Sequence, residues 1–282
     1  MSLSTAALAL VGLSFIGPAQ TGDDALPIVR KAFETAMANE AMLRRYVYHE
    51  RIDEVRFNKK GEVKKRESHT FDVTLLDSSE YRRLIAINDK PLLPETAAKE
   101  QKKLEKQLEK MRNETPKQRK KRLAKVEKGR REGEEFLEEI TRAFDFRLSG
   151  EEEIDGVATY VISAEPKKGY SPSSREAKVL AKLRGTLWIS KDEHAWVRAD
   201  LETFGNIRWA VVFKLRSGAK IRFEQTKLND EVWVPVSWYV RMRAGVALVF
   251  KFNGEVTGSY SNYRKFMSES TVVPGNAAPG RR

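Results

Sequence analysis

Period-two alternation of apolar and polar residues dominates the second half of the chain. Between 207 and 216, Ile207, Trp209, Val211, Phe213 and Leu215 occupy one side of an extended backbone, and Arg208, Ala210, Val212, Lys214 and Arg216 the other. Ile221 and Phe223 oppose Lys220, Arg222 and Glu224, Val232 to Val240 put Trp238 among valines, and Val246, Leu248, Phe250 and Phe252 share a face. The pattern predicts an antiparallel meander with strands over 184–190, 194–204, 207–216, 219–228, 231–242, 245–256 and 259–266. Its turns fall at Gly205-Asn206, Ser217-Gly218, Asn229-Asp230 and Ala244-Gly245. Neighbouring strands that each present an aromatic-rich side form an apolar wall. Long twisted strands curl, and an unclosed curl must be filled, either by the chain's own helices or by a ligand. The wall residues expected to line such a cavity are Trp209, Phe213, Phe223, Trp238, Leu248 and Phe250.

Upstream the periodicity changes twice. Ala25 to Leu43 has helical spacing, with Asp23 and Asp24 at its start, where acids suit the helix dipole. Residues 46–57, 62–76 and 81–88 read as strands, the first two joined at Asn58-Lys59-Lys60-Gly61, and Pro91 and Pro94 end the series. Residues 96–144 are a helical insert broken at Pro116, with Leu104, Leu108 and Met111 before the break and Leu123, Val126, Phe136, Leu137 and Ile140 after it. Strands resume at 146–154 and 157–165 across Asp155-Gly156, a strong hairpin signal, followed by a short helical stretch over 174–183.

Composition sharpens this picture in three ways. With 282 residues, 40% hydrophobic and 33% charged, the chain can bury a sizeable core. Its formal net charge of +12 is concentrated: residues 99–131 hold 15 Lys/Arg and 5 Asp/Glu, a net of +10. An anionic partner for the insert would meet Lys102, Lys103, Lys106, Lys110, Arg119, Lys120, Lys121 and Arg122; the alternative is a solvated helical hairpin with no partner at all. The absence of cysteine excludes disulfides, thiol catalysis, thiolate metal sites and an acylated N-terminal cysteine.

Residues 3–16 are apolar or small, and Gly17-Pro18-Ala19 supplies small residues before Gln20, which predicts an export signal over 1–19 although it lacks a basic n-region. The run is shorter than the roughly 18–20 residues needed to span a bilayer. Residues 20–270 are then expected to form one domain, and 271–282 a loose tail. His49, His69 and His194 lack metal-ligand spacing, and no HExxH, GxSxG, phosphate loop or dinucleotide fingerprint is present. His49-Glu50 suggests a surface pair, and Glu151-Glu152-Glu153 with Asp155 a solvated strand end. No enzyme activity and no cofactor are expected.

Several segments together resemble the LolA/LolB-like outer-membrane lipoprotein-sorting proteins. They are the leading helix, Arg82-Arg83-Leu84-Ile85 with Asn88-Asp89-Lys90-Pro91-Leu92, Phe144-Asp145-Phe146 with Gly150-Glu151-Glu152 and Asp155-Gly156, Gly185 to Ser190, Val232-Trp233-Val234-Pro235, and Tyr260 to Phe266. The resemblance covers most of the chain after residue 20 and rests on loose motifs. It implies an α+β fold: a large curved antiparallel sheet, an incomplete β-barrel, capped by an N-terminal helix and the helical insert. It also implies a periplasmic carrier whose apolar cavity receives acyl chains of lipids or lipoproteins. The basic insert is larger than in the standard carrier, and without a lipobox cysteine an anchored acceptor is not expected. The second function class is an envelope-associated scaffold that binds anionic membrane or polymer through the insert. Nucleic acid is not an expected partner, and a monomer is expected.

Overall fold

The computed structural model describes residues 24–76, 79–174, 176–209, 213–246 and 250–265. The export signal and tail expected at the two ends lie outside these residues. In chain order the elements are α1 (Leu26–Leu43), β1 (Tyr46–Phe57), β2 (Val63–Leu76), β3 (Ser79–Ile87), β4 (Lys90–Pro91), α2 (Pro94–Arg112), α3 (Pro116–Ala143), β5 (Phe144–Ile154) and β6 (Val157–Pro166). A 3-10 turn (Glu176–Lys182) leads into β7 (Leu183–Ser190), β8 (Trp196–Thr203), β9 (Ile207–Trp209), β10 (Phe213–Leu215), β11 (Lys220–Leu228), β12 (Val232–Val246) and β13 (Phe250–Lys265).

All the described strands belong to one antiparallel sheet ordered β4-β3-β2-β1-β13-β12-β11-β8-β7-β6-β5, with β9 and β10 branching from β12. The sheet is open, and with its helices it gives the expected α+β class. The chain starts in the middle of the sheet and runs to one edge. It crosses through α2 and α3 to the other edge, then meanders back until β13 pairs with β1.

Two strand expectations are corrected. Residues 207–216 are not one strand: β9 and β10 pair with each other, Trp209 opposite Phe213 and Ile207 opposite Leu215. Directly paired residues share a face, and these partners are an even number of residues apart, so the alternation is identical for a straight strand and for this hairpin. Ala244-Gly245 is not a turn either, because both residues lie in β12, Gly245 opposite Lys251, and β13 absorbs the two strands expected after it. Glycine in a strand interior marks close approach of another group, and β13 shows this at Gly254, whose Cβ would lie 2.2 Å from the Val55 carbonyl oxygen.

The buried core collects on one face of the β5–β8 half. Val29 and Ala32 of α1 pack there with Phe144, Phe146, Ile162, Leu187 and Ile189, together with Ala143 and Leu180. The edge at β5 is shielded, because Asp24 bridges Arg147 and the Ala25 amide donates to the Phe146 carbonyl at 3.2 Å. The C-terminal end of α1 reaches β12, where Met42 and Leu43 pack against Tyr46, Val232 and Val234. There Asn39, 8% exposed, donates to the Trp233 carbonyl at 2.7 Å and accepts from the Trp233 amide at 2.8 Å. Trp233 precedes the first β12–β13 pair, Ser237 with Ser259, so Asn39 takes the place of a neighbouring strand.

Helix α3 begins with a capping box, the Thr115 hydroxyl accepting from the Gln118 amide and the Gln118 side chain from the Thr115 amide, with Pro116 at the first helical position. Near its other end Glu139 is 4% exposed, accepts from Tyr170 Oη, from the Ser173 amide at 3.1 Å and pairs with Arg142 at 2.6 Å. The Tyr170 hydrogen bond, with the Ser173 amide and Arg142, holds this carboxyl down at about 2, below its ordinary 4.5. A depressed carboxylate stabilises the fold above its unfolded value and loses that contribution as pH falls through its folded value. Glu139→Gln is therefore expected to lower stability at neutral pH by about 1–3 kcal/mol. The gap to the parent protein should narrow from pH 4.5 to about 2 in thermal melts followed by circular dichroism.

Candidate functional site

The face that α1 covers over β5–β8 continues across β11, β12, β13, β1 and β2, where the C-terminal half of α1 covers only the end nearest Trp233, Tyr46 and Tyr48. Register aligns one row of residues across it: Ala199, Phe223, Trp238, Gly258, Ile52 and His69. A second row runs Leu201, Ile221, Val240, Val256, Glu54 and Glu67. Phe223, Trp238, Val240, Val256, Ile52 and Phe71 on this face are half-buried, in contrast to the closed core under α1. Of the described buried apolar residues, β1 to β3 supply only Tyr46 and Val73, and β11 none. This face is thus incompletely filled: α1 packs on the β5–β8 half and leaves much of the remainder half-buried.

Gly258 shapes this wall. A Cβ there would lie 2.1 Å from Trp238 Nε1 and 2.3 Å from Cε2, so only glycine lets the indole lie across β13. Beside it is a polar cluster within the apolar face. Glu50, 8% exposed, pairs with Arg82 at 2.5 Å, and the Arg82 guanidinium lies 4.6 Å from the Phe71 ring centre. Burial raises the Glu50 carboxyl above its ordinary range, and the Arg82 charge opposes that rise. Tyr48 donates to Glu80 at 3.1 Å and its ring packs on Tyr260 and Tyr263 at 5.6 and 5.3 Å. Burial, chiefly, raises all three phenols, which stay neutral donors. His49 and Glu50 do not form a surface pair: the strand turns them to opposite faces, His49 lying 3.7 Å from Asp72 on the outer one. Glu50 is in phase with Tyr46, Tyr48 and Ile52, and that placement is the sequence signal for it.

Two cavities flank the C-terminal half of α1 and share Glu40 and Leu43. One, about 250 Å³, lies between α1, Leu137 of α3 and Trp196, Gln225 and Trp233 of the sheet. The other, about 190 Å³, is lined by Tyr48, Val73, Leu75 and Glu80 and adjoins the tyrosine cluster. Both lie between helix and sheet, with Glu40 and Leu43 common to their linings.

Among the sequence-derived wall residues, Phe223 and Trp238 are brought together as direct cross-strand partners. Leu248 lies outside the described residues, as do the side chains of Trp209, Phe213 and Phe250. Their backbones are registered, Trp209 opposite Phe213, Phe213 opposite Val246 and Val246 opposite Phe250. On the insert, Lys102, Lys106, Lys110, Arg119, Lys120 and Lys121 are exposed. Lys103 pairs with Glu100 at 2.5 Å, and Arg122 is half-buried against Glu114 at 2.9 Å, so the insert cations are not equivalent. Helix α2 buries no residue, and Leu108 and Leu123 remain 39% exposed. Glu151 and Glu152 are engaged, with Lys191 at 2.5 Å and the Trp188 indole at 2.7 Å. Among the described residues no His, Asp and Glu group is arranged to hold a metal ion, and no helix is long and apolar enough to cross a membrane.

No protein-family model and no curated protein matches the chain. Among solved structures it is similar to a DUF1329 family protein from Desulfovibrio piger, at 15% identity over 88% of this chain and 96% of that one, with a TM-score of 0.31. It is also similar to a domain from Vibrio parahaemolyticus classed with the outer-membrane lipoprotein-sorting proteins, at 9% identity over 86% and 95% of the two chains, with a TM-score of 0.33. A LolA superfamily protein from Nitrosomonas europaea matches at 8% identity over 86% and 94%, with a TM-score of 0.31.

Proposed function

We propose that the protein is a non-enzymatic, periplasmic carrier or binding protein that holds acyl chains of lipids or lipoproteins against the uncovered half of the inner sheet face. The supporting observation is the half-buried apolar row that continues beyond α1, with Phe223 and Trp238 at its centre. Acyl chains need area and adaptable shape more than hydrogen bonds, and the curved face offers the first while the Tyr48–Glu50–Arg82 group supplies a few polar anchors beside it. Trp209, Phe213, Leu248 and Phe250 extend the same wall in this reading. Protein purified from its native envelope and extracted into organic solvent should yield acyl lipid by mass spectrometry. Phe223→Ala combined with Trp238→Ala should weaken fatty-acid displacement of a bound fluorescent dye by roughly 10-fold or more, given about 1.5–3 kcal/mol for each fully buried large apolar side chain. A lipid-free protein whose dye no fatty acid displaces would sink the reading.

A further inference from the structure

At the end of the sheet remote from the C-terminus of α1, the β1–β2 turn and the ends of β10, β12 and β13 enclose a cleft of about 1100 Å³. Its lining contains Lys59, Lys64, Lys214, Arg216, Arg243 and Lys251, all exposed and none in an ion pair among the described residues. Arg56 and Lys65 also line it, each paired with an acid of its own strand, Glu54 and Glu67, and among the described residues no acidic side chain lines the cleft. Phe57, Phe252 and Ala244 supply apolar surface, and the Asn253 side-chain amide donates to the Asn58 carbonyl at 3.2 Å, tying the turn to β13.

The rest of the outer face treats cations differently. There Arg184 lies opposite Glu202, Arg222 opposite Asp200, Arg198 opposite Glu224 and Arg241 opposite Glu255, each pair at 3.0 Å or less. Like charges gathered on neighbouring strands are destabilising, so a cleft lined by six unpaired cations is a standing cost that an anion would relieve. Register also opens space for one: Lys214 and Lys251 both lie opposite Gly245, which has no side chain to fill the gap.

We propose that this cleft binds phosphate groups of anionic lipid headgroups and seats this end of the sheet on an anionic bilayer. The choice of a bilayer over a soluble phosphate rests on the sequence that the same strands lead into. Residues 209–213 are Trp-Ala-Val-Val-Phe and residues 246–250 are Val-Ala-Leu-Val-Phe, both without charge, and Lys214 and Lys251 follow them immediately. Apolar segments flanked by cations match the layering of an anionic membrane surface. The cleft's cations are distinct from Phe223 and Trp238 at the centre of the acyl-binding wall and from the α2–α3 insert, so their substitutions test each reading on its own.

The test is co-sedimentation of the full chain with vesicles of phosphatidylglycerol and phosphatidylcholine, and of phosphatidylcholine alone, at low salt. The parent protein should bind only the anionic vesicles. Lys214→Glu with Arg243→Glu and Lys251→Glu should lose at least about 100-fold in affinity, because each cation near an anionic surface contributes severalfold. Lys102→Glu with Lys106→Glu and Lys110→Glu on the insert should bind like the parent, and dye binding to the wall should persist in both. If the cleft variant fails a circular dichroism check of folding, the corresponding glutamine substitutions replace it, with a loss of at least about 10-fold expected. Undiminished binding by the folded cleft variant, or equal binding to neutral vesicles, overturns the proposal. So does competition by inorganic phosphate at the concentration of lipid phosphate, which would assign the cleft to a free anion.

Discussion

Asn39→Ala is expected to destabilise the protein by about 2–4 kcal/mol, more than other single truncations of a polar side chain on α1. The substitution removes two hydrogen bonds at once and leaves both the N–H and the C=O of Trp233 without partners, in a residue only 5% exposed. Each orphaned buried group costs about 1–3 kcal/mol, and a small part is recovered if water enters the adjoining cavity. The effect should exceed that of Thr35→Ala, which removes one exposed bond to the Glu193 carbonyl at 3.1 Å. Chemical denaturation followed by circular dichroism measures both. A loss under about 0.5 kcal/mol for Asn39→Ala, the level of an ordinary surface change, would mean that α1 is held by its apolar face alone.

The Asn39 contact also shows why the sequence expresses some parts of this architecture and hides others. Strand and wall are local properties: a side chain's face follows from its place in a period of two, so Phe223 and Trp238 can be put on one face before their strands are known to pair. The branch at β9 and β10 is hidden because a hairpin whose partners are an even number of residues apart preserves that period. Glu50 is visible in principle, as a charge in phase with Tyr48 and Ile52, but its neighbour His49 draws attention to a pairing that strand geometry forbids. Counting charge along the chain places +10 of the +12 between residues 99 and 131. The basic cleft escapes that count because its lysines and arginines come from separate stretches, around 56–65, 214–216 and 243–251, which the pairing of β10 with β12 and of β13 with β1 brings together. Asn39 and Trp233 are 194 residues apart, and nothing local marks that pair. Long-range hydrogen bonds between one side chain and one main-chain site leave no periodic trace.

Gly258→Val is expected to have the second large effect, and it separates the wall's packing from its role in binding. The new Cβ would sit 2.1 Å from Trp238 Nε1, so the indole must leave its position over β13. Side-chain rotation is the available response, because Gly258 is also registered opposite Ile52 and the strand cannot move away from β1. Overpacking of this kind costs about 1–3 kcal/mol, to which the lost contacts of the displaced aromatic add. Near-ultraviolet circular dichroism should report the altered indole, and subtraction of a Trp238→Phe spectrum isolates it from the four other tryptophans. If Trp238 is a wall against which acyl chains lie, Gly258→Val should also weaken dye displacement by fatty acid, whereas Trp238→Phe, which keeps an aromatic and leaves Gly258 open, should retain most of it. Equal loss in both variants would point to the indole N–H beside Glu50, rather than the ring face, as the feature that ligand binding depends on. Unchanged binding in Gly258→Val, with the indole displaced, would remove Trp238 from the site and shift the acyl-chain contact to the cavities beside α1.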